Sequence, residues 1–426
     1  MKTTRILWVA ALLCLLTFSV GQAQTLQAAK PEQVGLSSER LGRLMTVLRS
    51  DVEKGTYPGA ILLVARHGKI AWFETVGVRD PETKQPMTRD TIFRIYSMSK
   101  PITSVATMML VEDGKIGLGD PVSKYIPAFG SVKVAVEKRD ASGATTVELV
   151  PAARPMTIQD LLRHTAGLTY GFFGEGAVKK MYADAKIWPD YPSNEEFVDR
   201  LAKLPLAYQP GTTWDYSHAT DVLGRVIEVV AGTSLFRFQK ERILDPLAMR
   251  DTSFYVTDKA KQPRIAEPFK NDRSIGLDAE FNDPRVEQKW ESGGGGLMST
   301  TMDYARFLQM LLNGGMLDGR RIVSPKTIAY MTADHLGTAV TPGPYYLPGG
   351  GFGFGLGFAV RKDAGVANVA GSVGEYNWGG AGGTYFWVDP KENMFVIYMM
   401  QAPSKRAYVR PILKNMIYGA LTAPAK

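Results

Sequence analysis

The sequence predicts an α/β (α+β) protein whose sheet is built from both ends of the chain, with a mostly helical lobe inserted between them. Three observations carry that reading. Strand-like apolar runs lie early, at Ala60–Ala65 and Ile70–Val76. Others return late, at Gly355–Arg361, Thr384–Val388 and Met394–Met399, before a final helix near Pro411–Leu421. Between them the pattern is helical or looped, rich in Gly, Pro and aromatic residues. At 426 residues, 45% hydrophobic and 22% charged, the composition fits one large globular domain and excludes a mostly disordered chain.

Taken in order, Lys2 and Arg5 precede an apolar run, Ile6–Val20, that is too short to span a bilayer, and Gly21 and Ala23 place small residues at a cleavage site. Residues 1–23 are therefore expected to be a removed secretory signal, leaving 24–426 as a single domain in a periplasmic or extracellular compartment, with no stable membrane span. Cys14, the one cysteine, falls inside the signal, so no disulfide framework or CxxC zinc site exists. Four scattered histidines give no HExxH spacing, which disfavours a zinc hydrolase. Loss of Lys2 and Arg5 lowers the formal charge from +8 to +6, and the remaining basic residues are dispersed. Nucleic-acid binding, which needs clustered Lys and Arg, is not expected.

Leu41–Val52 has helical apolar spacing, and the two early strands form a hairpin around His67-Gly68-Lys69. Ser97–Val111 reads as an amphipathic helix with Met108, Met109 and Leu110 inward, closed at Asp113-Gly114. Thr157 caps Ile158–His164, Ser193 caps Glu195–Ala202, and Ala219–Ala231 ends at Gly232. The helical lobe spans roughly 98–290, and a binding site belongs in the cleft between the lobes.

Ser97-Met98-Ser99-Lys100 is the candidate catalytic motif. Three-residue spacing at a helix start puts Ser97 Oγ and Lys100 Nζ on one face, one turn apart. Free N–H groups and the helix dipole beside the serine favour an oxyanion. A serine alcohol needs a base, yet no His–Asp pairing with Ser97 can be proposed and no G-x-S-x-G elbow exists. A desolvated lysine can serve, as can a tyrosine held near a lysine cation.

These residues resemble the serine β-lactamase and penicillin-binding protein superfamily, in its class C-like branch, and most closely the family VIII carboxylesterases. Ser97 and Lys100 match that family's Ser-x-x-Lys. The stretch Gly211–His218, containing Tyr216-Ser217-His218, resembles its tyrosine box. Trp378-Gly379-Gly380-Ala381 resembles its third box in the tryptophan form typical of the esterases. His164–Leu168 and Gly294–Thr300 also look like this family. The resemblance implies an antiparallel sheet flanked by helices in a β-lactamase/transpeptidase-like fold. It nominates Tyr216 as base, the N–H groups of Ser97 and Ala381 as oxyanion hole, and Trp378, Gly379, Gly380, His218 and Tyr170 as substrate contacts. It implies an acyl-enzyme on Ser97, with no metal or organic cofactor.

In β-lactamases the third-box lysine meets a substrate carboxylate; tryptophan removes that charge and favours neutral esters. Tyr170, Phe172, Phe173, Tyr182, Trp188 and Tyr191 are expected to wall the acyl or alcohol pocket, and Arg361 and Lys362 to serve an anionic substrate. The expected function is a serine carboxylesterase for short- to medium-chain esters, with β-lactam turnover as a side activity. The alternatives are a class C-like β-lactamase or D-alanyl-D-alanine carboxypeptidase, and a non-catalytic cell-wall or ligand-binding protein on the same scaffold. The partner in each catalytic case is a small-molecule ester or lactam.

Overall fold

The computed structural model describes residues 26–139, 145–187, 192–272 and 283–423. The expected signal segment and two of the expected pocket aromatics, Trp188 and Tyr191, lie outside the described residues. The hairpin forms as β1 (Gly59–Arg66) and β2 (Lys69–Asp80), joined at His67 and Gly68, both at positive φ (54° and 72°). A short strand, β3 (Gln85–Pro86), extends it.

One eight-stranded sheet runs in the order Phe352–Phe354, Ala359–Arg361, Tyr376–Gly379, Tyr385–Asp389, Met394–Met400, β1, β2, β3. All its pairings are antiparallel. The two ends of the chain meet where β1 pairs with the last strand, Ala60 opposite Met400 through Arg66 opposite Met394.

Both central strands are buried on both faces, which explains their nearly continuous apolar runs. Alternation sorts their side chains. Ala60, Leu62, Val64, Val396 and Tyr398 pack with Leu41, Leu44 and Leu48 of helix α1 (Ser38–Glu53) and with Leu413 and Ile417 of the C-terminal helix Arg406–Tyr418. Ile61, Leu63, Phe395 and Ile397 face the larger core, shared with helix α2 (Ser99–Glu112) and helix Thr301–Leu312. In α2 every residue from Ser99 to Leu110 is buried, as expected of a helix enclosed on all sides. The caps at Thr157, Ser193 and Gly232 form as read.

Three expectations need correction. Gly355–Arg361 is a turn followed by a short strand, Ala359–Arg361, that folds back on Phe352–Phe354, with Phe354 opposite Ala359. The bend needs glycine: Gly357 sits at φ +100°, where a Cβ would lie 2.4 Å from Ser104 Oγ. The final helix begins at Arg406 and carries Pro411 inside it. The stretch read as helical or looped contains a hairpin, Lys133–Arg139 with Thr145–Pro151, whose Lys- and Glu-rich strands and exposed Val136 and Leu149 dilute the strand pattern.

Candidate active site

The site assembles where the start of α2, the tyrosine segment 213–218, the glycine loop 291–296 and the strand end Tyr376–Gly379 converge. Ser97 lies two residues before α2, in a 3₁₀ turn, Tyr96–Met98, so the expected helix start is shifted slightly. The preceding Tyr96 adopts φ +44°, an uncommon conformation for a bulky residue. Buried bonds hold that turn. Ser99 Oγ donates to Tyr96 O (2.6 Å) and accepts the Leu297 N–H (3.0 Å), while the Tyr304 hydroxyl donates to Met98 O (3.0 Å).

Lys100, 1% exposed, donates to three acceptors: Gly294 O (2.6 Å), the Tyr170 hydroxyl (3.2 Å) and Ser97 Oγ (3.3 Å). Its Nζ also lies 4.6 Å from the centroid of the Tyr216 ring. The Tyr216 hydroxyl accepts the indole N–H of Trp378 at 3.2 Å. Two tyrosines therefore flank the lysine, with ring centroids 5.2 Å apart. Burial, with the charges of Asp221 and Tyr216, holds the Tyr170 phenol well above its ordinary range, which keeps it protonated and so unable to take up a proton. Tyr216 instead receives an N–H donor, and it shares the pocket lining with Arg406 and Arg410.

The glycines of the third box have spatial reasons. A Cβ at Gly380 would lie 2.4 Å from Ile95 O, at Gly382 2.6 Å from the Tyr96 ring, and at Gly379 2.2 Å from the Arg410 guanidinium. They let this strand end lie directly against the chain leading into Ser97. Ala381 is thereby brought to the same pocket as Ser97, and among the described residues its N–H has no acceptor.

The pocket, about 180 Å³, is lined by Ser97, Tyr216, Trp378 and Ala381 at its reactive end, with Tyr170, Phe172, Phe173 and Trp290 as aromatic wall. His218, 2% exposed, also lines it; burial and the Lys100 charge hold its imidazole below its usual range despite the neighbouring Asp221 carboxylate. All nine expected site residues belong to this cluster: eight line the pocket, and Lys100 lies beneath Ser97. Tyr170 touches Lys100 as well as the pocket, so it belongs to the reactive unit more than to the wall.

Two expectations fail. Tyr182 is fully buried in the core and does not line the pocket. Arg361 is enclosed with Glu375 (3.3 Å), and Lys362 pairs with Asp334 (2.9 Å), so neither serves an anionic substrate. The pocket's cations are Arg406 and Arg410 of the C-terminal helix, and its carboxylate is Asp221. Their signals were present: an i, i+4 arginine pair defines one helix face, and Asp221 stands in the first turn of helix Ala219–Ala231, five residues after Tyr216. Among the described residues no group of three His, Cys, Asp or Glu side chains is placed to hold a metal.

A serine hydroxyl at a strained turn, a buried lysine hydrogen-bonded to it, a tyrosine beside both and an uncommitted backbone N–H across the pocket define the architecture of a serine acyl hydrolase. The chain belongs to the Beta-lactamase family, whose pattern it matches over residues 44–415. An uncharacterised protein of Mycobacterium tuberculosis is 36% identical over 364 residues, 83% of this chain and 88% of that protein. Esterase EstB of Burkholderia gladioli is 31% identical over 381 residues, covering 84% and 89%. Among solved structures, EstCE1, described as a hydrolase with promiscuous acyltransferase activity, superposes with a TM-score of 0.73 at 28% identity, covering 89% of this chain and 98% of that one. The protein is accordingly a serine hydrolase of the β-lactamase/transpeptidase-like superfamily, and the resemblance read from its three boxes stands.

Proposed function

We propose that this protein is a serine carboxylesterase acting on short- to medium-chain esters through an acyl-enzyme on Ser97. Tyr216, present as the phenolate beside the Lys100 ammonium, accepts the Ser97 proton as Oγ attacks the acyl carbon. The oxyanion is held by the N–H groups of Ser97 and Ala381. The tyrosine then protonates the leaving alcohol, and in the second half activates water to release the acid. Lys100 supplies the positive charge beside both hydroxyls. Metal or organic cofactor has no role in this scheme.

The observation that carries the ester reading is the Trp378–Tyr216 hydrogen bond in an aromatic-walled pocket. The third-box position here supplies an uncharged donor to the base and leaves the wall free to take apolar groups. One observation favours the second reading, a β-lactamase or D-alanyl-D-alanine carboxypeptidase: Arg406 and Arg410 border the pocket, and among the described residues neither has a carboxylate partner. Steady-state turnover of a short p-nitrophenyl ester and of a chromogenic cephalosporin, with Ser97→Ala as blank, separates the two. Faster Ser97-dependent ester turnover supports the esterase; the reverse ranking makes it a β-lactamase. No turnover of either, together with no labelling of Ser97 by a fluorophosphonate, returns the non-catalytic reading. The apolar run at residues 6–20 supports export with cleavage after residue 23, which N-terminal sequencing of the mature protein tests.

A further inference from the structure

Asp221 is the one acidic residue lining the pocket among the described residues, and the acylation scheme above makes no use of it. It stands in the first turn of helix Ala219–Ala231 and is 4% exposed. Its Oδ1 accepts the Ser292 hydroxyl (2.5 Å) and the Gly294 N–H (3.0 Å); its Oδ2 accepts Nδ1–H of His218 (3.0 Å). Because the carboxylate only accepts, His218 is held in the tautomer that carries its proton on Nδ1.

Gly294 is gripped at both ends. Its N–H goes to Asp221, while its carbonyl oxygen takes the shortest of the three hydrogen bonds that Lys100 makes, at 2.6 Å. A Cβ at this position would lie 3.0 Å from the Asp221 carboxylate, so only glycine fits between the two charges without a shift. The neighbouring Gly293 carbonyl accepts Thr103 Oγ1 (2.9 Å), which ties the loop to α2 a second time.

The charge arrangement points the same way. Among the described residues Lys100 has no carboxylate in direct contact, and Asp221 has three hydrogen-bonding partners of which none is a permanent cation. A buried carboxylate and a buried ammonium are each costly alone and offset one another across a single residue. Burial pulls the Asp221 carboxyl upward, but the His218 bond and the Lys100 charge outweigh it and keep the carboxyl below its ordinary range.

We propose that Asp221 is a positioning residue for this site: acting across Gly294, its carboxylate holds the Lys100 ammonium aimed at Ser97. The inference rests on the acyl-transfer reading above. The other titratable groups facing this unit are Tyr96 from the turn before α2, Tyr170 from the segment before the aromatic wall, Tyr216 and His218 from the tyrosine segment, and Arg406 and Arg410 from the C-terminal helix. Glu291, the nearest other acid on the loop, is turned to the Phe236 N–H instead.

The test has two arms. Asp221→Asn keeps the acceptor and the shape while removing the charge. On a neutral p-nitrophenyl ester it should lower kcat/KM by about thirtyfold, the order seen when one member of a buried charge pair is neutralised. The alkaline limb of its pH profile should also move to lower pH, because taking a negative charge out of the site makes loss of a proton from it easier. A loss of kcat/KM with the profile unmoved would overturn the proposal in favour of a purely structural role.

The second arm needs no activity and so separates this idea from the esterase reading. Tm is compared for wild type, Lys100→Met, Asp221→Asn and the double variant. Lys100→Met should lower Tm by leaving the carboxylate uncompensated, and adding Asp221→Asn should recover part of that loss, even if either single variant folds poorly. Additive losses, or a double variant that does not fold, would overturn it.

Discussion

Replacing Trp378 by Phe isolates one bond. The ring contacts with Tyr216 (5.4 Å between centroids) and Phe354 (5.3 Å) can be kept by a phenyl ring, whereas the N–H that reaches the Tyr216 hydroxyl at 3.2 Å is lost. To a neutral phenol that bond contributes about 1 kcal/mol. With Tyr216 as the phenolate that takes the Ser97 proton, the same donor contributes about 1.5–3 kcal/mol, the range for hydrogen bonds to charged groups. The difference falls on the reacting state. That difference, about 0.5–2 kcal/mol, should lower kcat/KM for a short neutral ester about two- to thirtyfold, at 1.4 kcal/mol per factor of ten, with little change in Tm. The assay is steady-state hydrolysis of a p-nitrophenyl ester series from acetyl to octanoyl. A donor to the base lowers turnover of every ester by the same factor; a mere pocket wall makes the loss depend on acyl length. Wild-type kcat/KM in Trp378→Phe, or a loss confined to the longer esters, would refute the reasoning.

Three further outcomes follow from the same coordinates. Burial raises Asp303, in the first turn of helix Thr301–Leu312, from 3.8 to about 6, although it accepts the Asp251 N–H and the Thr252 hydroxyl. The folded state thus holds a proton that the unfolded chain has released, and this group costs stability as pH rises from about 4 to about 6, by about 3 kcal/mol in all. Asp303→Asn should be more favourable relative to wild type at about pH 7 than at about pH 4.5, and an equal gap by thermal melts at both would contradict the assignment. Glu375, fully buried, accepts Lys414 (2.7 Å) and the Tyr418 hydroxyl (2.8 Å) beside Arg361, and Glu375→Gln should cost about 3–5 kcal/mol in denaturant unfolding by stranding these cations. Gly380→Ala, whose Cβ would sit 2.4 Å from Ile95 O, should cost far more kcat than stability, whereas Gly42→Ala, open to solvent in α1, should add up to about 1 kcal/mol and leave turnover unchanged.

How far the sequence could be read depended on whether a local pattern had one physical meaning. The β1–β2 hairpin and the last strand were legible because enclosed strands need unbroken apolar runs. The caps at Thr157 and Ser193 were legible because a side-chain oxygen three residues before a helical N–H has few other uses. Ser97, Lys100, Tyr216 and the glycines of 379–380 were legible as a set through the three-box resemblance, since none of the motifs is distinctive alone. What escaped was pairing across distance. Glu375 and Arg361 lie fourteen positions apart, and their mutual burial with Lys414 is set by how the terminal helix crosses the sheet. Arg361 therefore read as a free cation. Likewise nothing local to Asp221 says that Gly294, seventy-three residues away, comes between it and Lys100.

The corrected charges also change what the third box means. With a lysine at that position, the base and a substrate carboxylate would share one cation. Here the position holds an indole whose single N–H is spent on Tyr216, and glycine follows it, so the Arg410 guanidinium occupies the space a side chain at 379 would take. Support of the base and attraction of anions are thereby separated, the first on the strand and the second on the C-terminal helix. A neutral ester needs only the strand. A substrate carrying a carboxylate would have to approach Arg406 and Arg410, partly buried groups whose desolvation has already been borne on folding and whose charge burial does not remove. Substrate preference then turns on whether a ligand reaches that helix, and Arg406→Ala with Arg410→Ala should leave neutral ester turnover within about a factor of three while abolishing any advantage of an anionic ester. An equal loss on both substrates would mean that the arginines act through Tyr216 instead, and that anion attraction and base support are one function in this pocket after all.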